Sequence, residues 1–184
     1  MTGPAATPPS APADIELVRA YRAGDERAAT TLVTRHAAGI ARFLNGAGAD
    51  GADLDDLVQE TFIRAFRAID GWRGEAAFRS WLLSIASNLL KDQFRKQRGR
   101  TLVAIEETEL AAHEDPASAL DATEAERRLA EGLATLPRLQ REVFLLRAQQ
   151  GLDYEEIART LDTTAGSARV HYHHAVKRLK ELVA

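Results

Sequence analysis

This sequence contains no cysteine, which excludes disulfide bonds, a thiol nucleophile and a cysteine-based zinc site. It also lacks any apolar run that approaches the length of a membrane span, and residues 1–12 have neither the charged start nor the apolar centre of a signal peptide. We therefore expect a cytoplasmic protein with a disordered tail over residues 1–13. Its 45% of hydrophobic residues is enough to build packed cores in the remainder of the chain.

Strand signals are scarce as well, because no alternating apolar–polar run exceeds a few residues outside the tail and the linker. Apolar residues instead recur at helical spacing through most of the chain, which predicts an all-α fold. The predicted helices cover residues 14–23, 26–45, 54–69, 76–97, 122–135, 138–149, 154–161 and 165–183. Residues 46–51 are predicted to form a loop.

Positive charge is absent from one internal segment. Residues 101–126 carry eight Asp and Glu side chains and no Lys or Arg, whereas residues 14–100 and 127–184 are each slightly basic. This distribution predicts two small helical domains, at residues 14–100 and 127–184, joined by a flexible acidic linker. The formal net charge of −3 is unusual for a free-standing DNA-binding protein, and it suits one that another protein delivers to DNA.

The helix predicted over residues 54–69 has one apolar residue on its polar face. Its buried stripe is formed by apolar side chains at helical spacing, and Ile63 lies about 180° from that stripe. The same face carries Asp56, Gln59, Glu60 and Arg67. Ile63 is therefore either a tolerated exposed residue or the centre of a docking face.

A glycine-bracketed loop and a basic helix end follow this helix. Gly71 and Gly74 flank Trp72, which we expect to be exposed. The next helix ends in a cluster of cations with one acid, Asp92, among them: Lys91, Arg95, Lys96, Arg98 and Arg100. A basic helix end beside an aromatic loop suits a phosphate backbone with unstacked bases. A solvated helix end, stabilised by the helix dipole, explains the same residues equally well.

These segments together resemble the second conserved region of bacterial sigma factors, in the compact form of the extracytoplasmic-function (ECF) group. The matching motifs are DDLVQETF at 55–62, GWRG at 71–74, FRSWL at 78–82 and IASN at 85–88. The resemblance implies that one helix docks on the clamp helices of RNA polymerase through Asp55, Asp56, Gln59, Glu60 and Ile63. It also implies that a base flipped from the −10 element is held by Trp72, Arg73 and Asn88, and that the DNA backbone is bound by Lys91, Arg95, Lys96 and Arg98. As an alternative, Trp72 only anchors the loop on the domain.

The last 32 residues have the pattern of a helix-turn-helix motif. Asp153 and Glu156 form a predicted capping box, and residues 162–164 supply a turn and the next helix N-cap. The second helix has an inner stripe of small and apolar residues at Ala168, Tyr172, Ala175 and Leu179. Two short helices with this turn predict a DNA-reading motif, although an ordinary helical hairpin looks similar.

The outer face of the last helix carries the predicted reading residues. Arg169 is placed to read a guanine edge, Val170 to contact a thymine methyl group, and Lys177 to bind a phosphate. LPRLQREVF at 136–144, YEEIA at 154–158 and the stretch from Gly166 resemble the fourth conserved region of the same sigma factors. The resemblance implies that this helix reads the −35 element, through Arg169, Val170, His173, His174 and Lys177. The alternative is a solvated face. The promoter sequence does not carry over, because this chain departs from the common pattern at residues 170–174.

The histidine cluster at His171, His173 and His174 has two interpretations. A zinc site is disfavoured, because the three side chains cannot all point one way along a helix. His171 and His174 share a helix side, but no third ligand for that side is evident nearby. Largely neutral donors that face DNA are favoured. We therefore expect no metal and no cofactor.

Two other functional classes explain less of the chain. A free-standing repressor would use residues 153–182 and leave the first half without a role. An all-α di-iron enzyme would need Glu-x-x-His pairs, and the sequence has none. We therefore predict a non-enzymatic sigma factor with core RNA polymerase, promoter DNA and an anti-sigma protein as partners. The acidic linker either occupies a basic polymerase channel until RNA displaces it or is a plain tether.

Overall fold

The computed structural model describes residues 12–104 and 124–183, and all regular secondary structure within them is helical. The eight α-helices are α1 (Asp14–Arg22), α2 (Glu26–Ala47), α3 (Gly51–Ala68), α4 (Phe78–Ala104), α5 (Glu124–Ala134), α6 (Arg138–Phe144), α7 (Tyr154–Leu161) and α8 (Ala165–Val183). A short 3₁₀ turn, Ile69–Gly71, follows α3, and a π-helical turn, Leu145–Gln149, extends α6. No helix in these two ranges is long and apolar enough to cross a membrane.

The all-α prediction is confirmed, and the bounds predicted for the last two helices match α7 and α8. The predicted loop at 46–51 is too long, because α2 continues to Ala47 and α3 begins at Gly51. Gly48, with φ +98°, ends α2, and Asp50 caps α3 by accepting from the Ala52 amide at 3.3 Å. Helix α4 runs to Ala104, beyond its predicted end at 97 and into the predicted linker. The tail to residue 11 and linker residues 105–123 lie outside the described residues.

The N-terminal half is a bundle of α1 to α4, in which α2 packs against the other three helices. Its core consists of apolar side chains that are almost fully removed from water: Val18, Leu32, Ile40, Phe43, Leu44, Phe78, Leu82, Leu83 and Leu90. Asp25 caps α2 by accepting from the Arg27 amide at 3.0 Å. The bundle therefore fixes the directions of α3 and α4, the two helices that carry the predicted docking and −10 residues.

The C-terminal half contains the predicted helix-turn-helix. The Asp153 carboxylate accepts from the Glu156 amide at 2.7 Å, and the Glu156 carboxylate accepts from the Asp153 amide at 3.1 Å, so the predicted capping box is present. Asp162 ends α7 in the left-handed conformation, with φ 52°, and Thr164 caps α8 by accepting from the Ser167 amide at 3.1 Å. These local features set the angle at which α8 leaves α7.

The two halves pack against each other and share one continuous apolar core. Helix α4 contacts α7, while α2 contacts α5, α6 and the π-helical turn. Hydrogen bonds also cross between the halves, among them one from the Gln150 side chain to the Gly39 carbonyl at 3.2 Å. The two domains that the sequence predicts are thus in direct contact in this structure.

We expect Asp153→Ala to lower the free energy of unfolding by about 1 kcal/mol, because it removes the α7 capping bond. Urea denaturation followed by circular dichroism measures this change. Glu155→Ala is the matched control, since Glu155 is an exposed acid in the same helical turn without a cap bond in the structure. Equal effects of the two substitutions would show that the capping box does not stabilise α7.

Candidate polymerase and nucleic-acid interfaces

An apolar groove runs along α3 where this helix lies against α2. Its floor and walls are apolar, and polar side chains form its edge; the lining residues are Val33, Asp55, Val58, Gln59, Phe62, Ile63, Phe66 and Arg67. Ile63 is half-buried in this groove. The expectation of a single apolar residue on a polar face is therefore wrong in detail, because Phe62, Phe66 and Val33 extend the apolar surface beside Ile63.

The five predicted docking residues divide between two sides of α3. Asp55, Gln59 and Ile63 line the apolar groove, whereas Asp56 and Glu60 line a second pocket between α3 and α4. In the second pocket Glu60 accepts from Arg64 at 2.7 Å. The helix thus presents an apolar contact surface with acidic side chains beside it.

The loop after α3 is held in place by aromatic packing and by one arginine. Trp72 is only 6% exposed, because its ring packs edge-on against Phe78 at 5.3 Å and beside Trp81 at 6.5 Å. The Arg22 guanidinium donates to the Trp72 carbonyl at 2.7 Å and also to the Ile69 carbonyl. The prediction that Trp72 is exposed is therefore wrong, and its ring anchors the loop on the bundle.

A shallow pocket nevertheless opens beside this anchored loop. It is lined by Gly71, Trp72, Arg73, Glu75, Ala76 and Trp81. Arg73 is exposed and Trp81 half-buried, while the buried indole N–H of Trp72 has no hydrogen-bond partner. Asn88 is exposed two turns beyond Trp81 on the same face of α4. The pocket thus offers aromatic edges and polar groups next to each other.

The predicted phosphate-binding cations of α4 lie in two different places. Lys91 and Arg95 line the large cleft between the two halves of the molecule, opposite Arg138 and Arg141. Lys96 instead lines the acidic pocket between α3 and α4. Arg95 also pairs with Asp92 at 3.0 Å. The side chain of Arg98 lies outside the described residues, so its predicted role stays a prediction.

The exposed face of α8 presents all five residues predicted to read the −35 element. Arg169, His173, His174 and Lys177 are exposed, and Val170 is 51% exposed, which is high for an aliphatic side chain. On the opposite face Ala168, Ala175 and Leu179 are buried and Tyr172 is half-buried, so the predicted inner stripe is confirmed.

Tyr154 contacts a predicted reading residue, and the sequence analysis did not predict this contact. The Arg169 guanidinium lies 4.9 Å from the centre of the Tyr154 ring, and the Arg147 guanidinium lies 5.0 Å from it. Tyr154 itself packs edge-on against Tyr172 at 6.2 Å. The first residue of α7 thus supports the predicted reading residue of α8 through a cation–π contact. A tyrosine in the first turn of a helix does not by itself indicate a contact with an arginine of the next helix.

The three histidines do not form a cluster of converging ligands. His173 and His174 are exposed with ring centres 6.2 Å apart, whereas His171 is half-buried and its Nδ1 is buried without a partner. In the part of the chain that the structure describes, no group of three or more His, Cys, Asp or Glu side chains is arranged to hold a metal ion.

We expect Arg22→Met to loosen the Trp72 loop, because two carbonyl groups lose their shared donor. The measurement is acrylamide quenching of tryptophan fluorescence, which should increase because Trp72 and Trp81, the two tryptophans of the chain, both lie at this loop. Arg19→Met, an exposed arginine one turn earlier on α1, is the control and should leave quenching unchanged. Unchanged quenching in Arg22→Met would mean that aromatic packing alone holds the loop.

Family comparisons cover both halves of the chain. Residues 32–100 match sigma-70 region 2, and residues 126–179 match sigma-70 region 4. The ECF RNA polymerase sigma-E factor of Haemophilus influenzae is 31% identical over 180 residues, which cover 92% of this chain and 95% of that protein. The corresponding sigma-E factor of Escherichia coli K12 is 33% identical over 166 residues, which cover 85% and 86% of the two chains.

Two solved structures resemble this fold across most of its length. The structure of CnrH in complex with the cytosolic domain of CnrY has a TM-score of 0.71 and 28% identity, and it covers 94% of this chain and 97% of that chain. The sigma factor RpoE of Bartonella quintana, in complex with the anti-sigma factor NepR, has a TM-score of 0.72 over 84% of this chain and 95% of that chain. Its 22% identity supports the fold alone. With the two matched regions and the curated relatives, these findings show that the chain belongs to the ECF sigma factors of RNA polymerase.

Proposed function

We propose that this ECF sigma factor docks on core RNA polymerase through the α3 groove and reads a promoter with α4 and α8. A sigma factor directs core RNA polymerase to specific promoters, and its region 2 helps to open the −10 element. The protein binds, while the chemistry of RNA synthesis belongs to the polymerase. Because its partners in bacteria are cytoplasmic, we expect it to act in the cytoplasm. The observation that carries the residue assignment is the apolar groove around Ile63.

The α3 groove suits a protein partner better than it suits water. Val58, Ile63 and Phe66 are half-buried in it and remain partly in contact with solvent in the absence of a partner, while Phe62 beneath them is buried. Apolar patches with polar edges are typical of protein-binding surfaces. Asp55 and Gln59 at the edge, with Asp56 and Glu60 on the neighbouring side, add polar contacts that orient the partner. These features support the groove as the surface that meets the polymerase clamp helices.

The loop pocket and the exposed face of α4 suit an unpaired DNA strand. Trp81, which is half-buried, offers an aromatic surface, and the largely buried Trp72 lines the pocket beside it. Arg73 and Asn88 are exposed beside them and supply polar groups for a base. A flipped base is held by aromatic and hydrogen-bonding side chains of this kind. Lys91 and Arg95 continue the surface with positive charge for phosphates.

The α8 face suits a major groove. Arg169 lies in the first turns of the helix, where side chains reach base edges in helix-turn-helix complexes. Arginine reads the two acceptors of guanine, and the exposed Val170 next to it suits a thymine methyl group. Lys177 lies two turns further on, where a contact to phosphate sets position without reading sequence. His173 and His174 extend the same exposed surface as donors.

An anti-sigma protein is a further partner. CnrH, which is 28% identical to this chain, was solved in complex with the cytosolic domain of CnrY. We propose that this chain is held in the same manner until it is required. The described residues do not identify which protein holds it.

We expect Ile63→Asp to weaken binding to core polymerase at least tenfold, because it places a carboxylate in the apolar groove. Leu129→Asp is the control, since Leu129 is an exposed leucine, 39% accessible, far from this groove along the chain. Fluorescence anisotropy with labelled protein and purified core enzyme measures both affinities. Binding by Ile63→Asp at the level of the control would rule out Ile63 as a contact.

We expect Arg169→Ala to cost about 1–3 kcal/mol of promoter binding and to relax the preference at one base pair. Lys177→Ala should instead weaken binding to all sequences and reduce the salt dependence. Holoenzyme binding to a library of randomised −35 elements separates the two outcomes. If Arg169→Ala leaves the preferred sequence unchanged, another residue reads that position.

Run-off transcription tests the function as a whole. Core bacterial RNA polymerase is incubated with fragmented genomic DNA of the source organism, with and without this protein. Discrete transcripts that depend on the protein would support the proposal, and the DNA upstream of their starts would reveal the −10 and −35 elements. If there were no such transcripts and no co-elution with core enzyme, promoter direction by this chain would be ruled out.

A further inference from the structure

The packed arrangement of the two halves is too short to reach both promoter elements at once. The −10 and −35 elements are about 25 base pairs apart, which is about 85 Å along B-DNA at 3.4 Å per base pair. A compact body of the 153 described residues has a radius of gyration of about 15 Å, and hence a diameter of roughly 40 Å. The halves must therefore separate before the protein can contact both elements.

The contacts that hold the halves together centre on a buried carboxylate. Glu142 of α6 is 1% exposed. It accepts from the Ser87 hydroxyl of α4 at 2.9 Å and from Arg138 of α6 at 2.6 Å. Ser87 is the donor from the other half of the molecule, and it is itself buried.

A second glutamate makes the same type of contact two turns closer to the N-terminus of α4. Glu156 of α7 accepts from the Ser80 hydroxyl at 3.1 Å. Its other oxygen accepts from the Asp153 amide and completes the α7 capping box. Ser80 and Ser87 are seven residues apart, so two turns of α4 place both hydroxyls on one face. That face of α4 is a matched pair of donors for two carboxylates of the C-terminal half.

The apolar part of the interface depends on a close approach at Gly46. A Cβ atom at Gly46 of α2 would lie 2.9 Å from one methyl carbon of Leu145 and 3.2 Å from the other, so glycine leaves the space that Leu145 fills. At Gly39, on the same helix and in the same interface, a Cβ atom would meet only Gln150 at an ordinary 3.6 Å. The packing therefore leaves no room for a side chain at Gly46 but has room for a methyl group at Gly39.

Two features of the interface oppose closure. Burial raises the pKa of Glu142, although Arg138, Ser87 and Lys91 act to lower it, so the ionised carboxylate is not fully compensated. Lys91 and Arg95 of α4 also line the same cleft as Arg138 and Arg141 of α6, so closure brings cations of the two halves into one cleft. Both features lower the net stability of the closed form, which the shared apolar core favours.

We propose that Glu142 and Glu156 latch the C-terminal half onto the Ser80–Ser87 face of α4, and that this latched form is a resting state that has to open before the two promoter elements are read. The need for opening rests on the proposed function. The latch itself does not, because it can be measured on the protein without polymerase or DNA.

The absence of cysteine makes the measurement direct, since two introduced cysteines are the only labelling sites. Thr34→Cys on α2 and Lys180→Cys on α8 are exposed and lie outside the proposed binding surfaces. Spin labels at these positions report the distance between the halves by pulsed electron resonance. With the interface otherwise unaltered, the two spin labels should lie mainly at one short distance from each other. If only long distances between the labels were found, the proposal would be overturned.

The serine pair tests the latch with a matched control. Ser80→Ala with Ser87→Ala removes both cross-domain donors and leaves α4 with good helix formers. We expect the ratio of open to closed molecules to rise about tenfold. Ser84→Ala is the same change in the same helix, but the Ser84 hydroxyl donates to the Trp81 carbonyl within α4. A long-distance fraction equal to that of Ser84→Ala would overturn the latch.

The glycine pair tests the same closure from the other side of the interface. Gly46→Ala should favour the helical form of α2 while its methyl group collides with Leu145, so the open fraction should rise although the helix is not weakened. Gly39→Ala should leave the distance distribution unchanged. An unchanged distribution in Gly46→Ala as well would overturn closure through this interface.

Proton binding gives a third reading of the latch. Because the pKa of Glu142 is raised in the closed form, closing takes up a proton, and the closed fraction should grow as the pH falls from neutral toward the ordinary pKa of a glutamate. The groups that face Glu142 are Ser87 and Lys91 of α4 and Arg138 and Arg141 of α6. Glu142→Gln keeps an acceptor for Ser87 and should remove this dependence. If the variant retains the full dependence, Glu142 is not the group that links protons to closure.

The latch and the proposed function can fail separately. Run-off transcription with the unaltered protein tests the function. If the unaltered protein gives no transcripts but the serine substitutions raise the open fraction as expected, only the proposed function is refuted. If the unaltered protein gives normal transcripts but the double serine variant and the Ser84→Ala control show the same distance distribution, only the latch is refuted.

Discussion

Helix α4 packs against α2, α3 and α7 at once, and the rest of the structure depends on which face of α4 meets each of these neighbours. One side supplies Leu82, Leu83 and Leu90 to the N-terminal core. Another carries Ser80 and Ser87, which meet carboxylates of the C-terminal half. A third presents Trp81 and Asn88 to the loop pocket and solvent. A single helix therefore links core packing, the contact between domains and the proposed DNA surface, which explains why its pattern along the chain shows no simple apolar stripe.

Local features of the chain were predictable because they depend on neighbouring residues. The all-α class, the bounds of α7 and α8, the Asp153–Glu156 capping box and the inner stripe of α8 all follow from spacing and from capping chemistry. The exposed face of α8 follows from the same spacing, since a helix with one buried stripe exposes the opposite side. The binding roles of these residues rest on the family resemblance and stay predictions.

Apart from the helix ends, the predictions that failed depend on contacts outside the helix or loop in which the residue lies. Trp72 lies between two glycines in a polar loop. It is buried because Phe78 and Trp81 of α4 pack against its ring and Arg22 of α1 holds its backbone carbonyl. A helical wheel puts Ile63 on a polar face, because it shows one helix alone and omits neighbours from other helices such as Val33 of α2. The packing of one half on the other was not visible either, since Ser87 and Glu142 are 55 residues apart and neither residue type signals a partner.

The stacking of Arg169 on Tyr154 has a consequence for the cost of reading DNA. A long arginine side chain in water loses up to about 2 kcal/mol of rotamer freedom when it is fixed in one orientation. On the Tyr154 ring, which Arg147 approaches as well, part of this ordering has already taken place in the folded protein. Selectivity for a base pair would then depend in part on a residue of the preceding helix that need not touch the DNA. If Arg169 reads a base as proposed, the strength of that contact would be set by conformational entropy within the protein as well as by the hydrogen bonds at the groove.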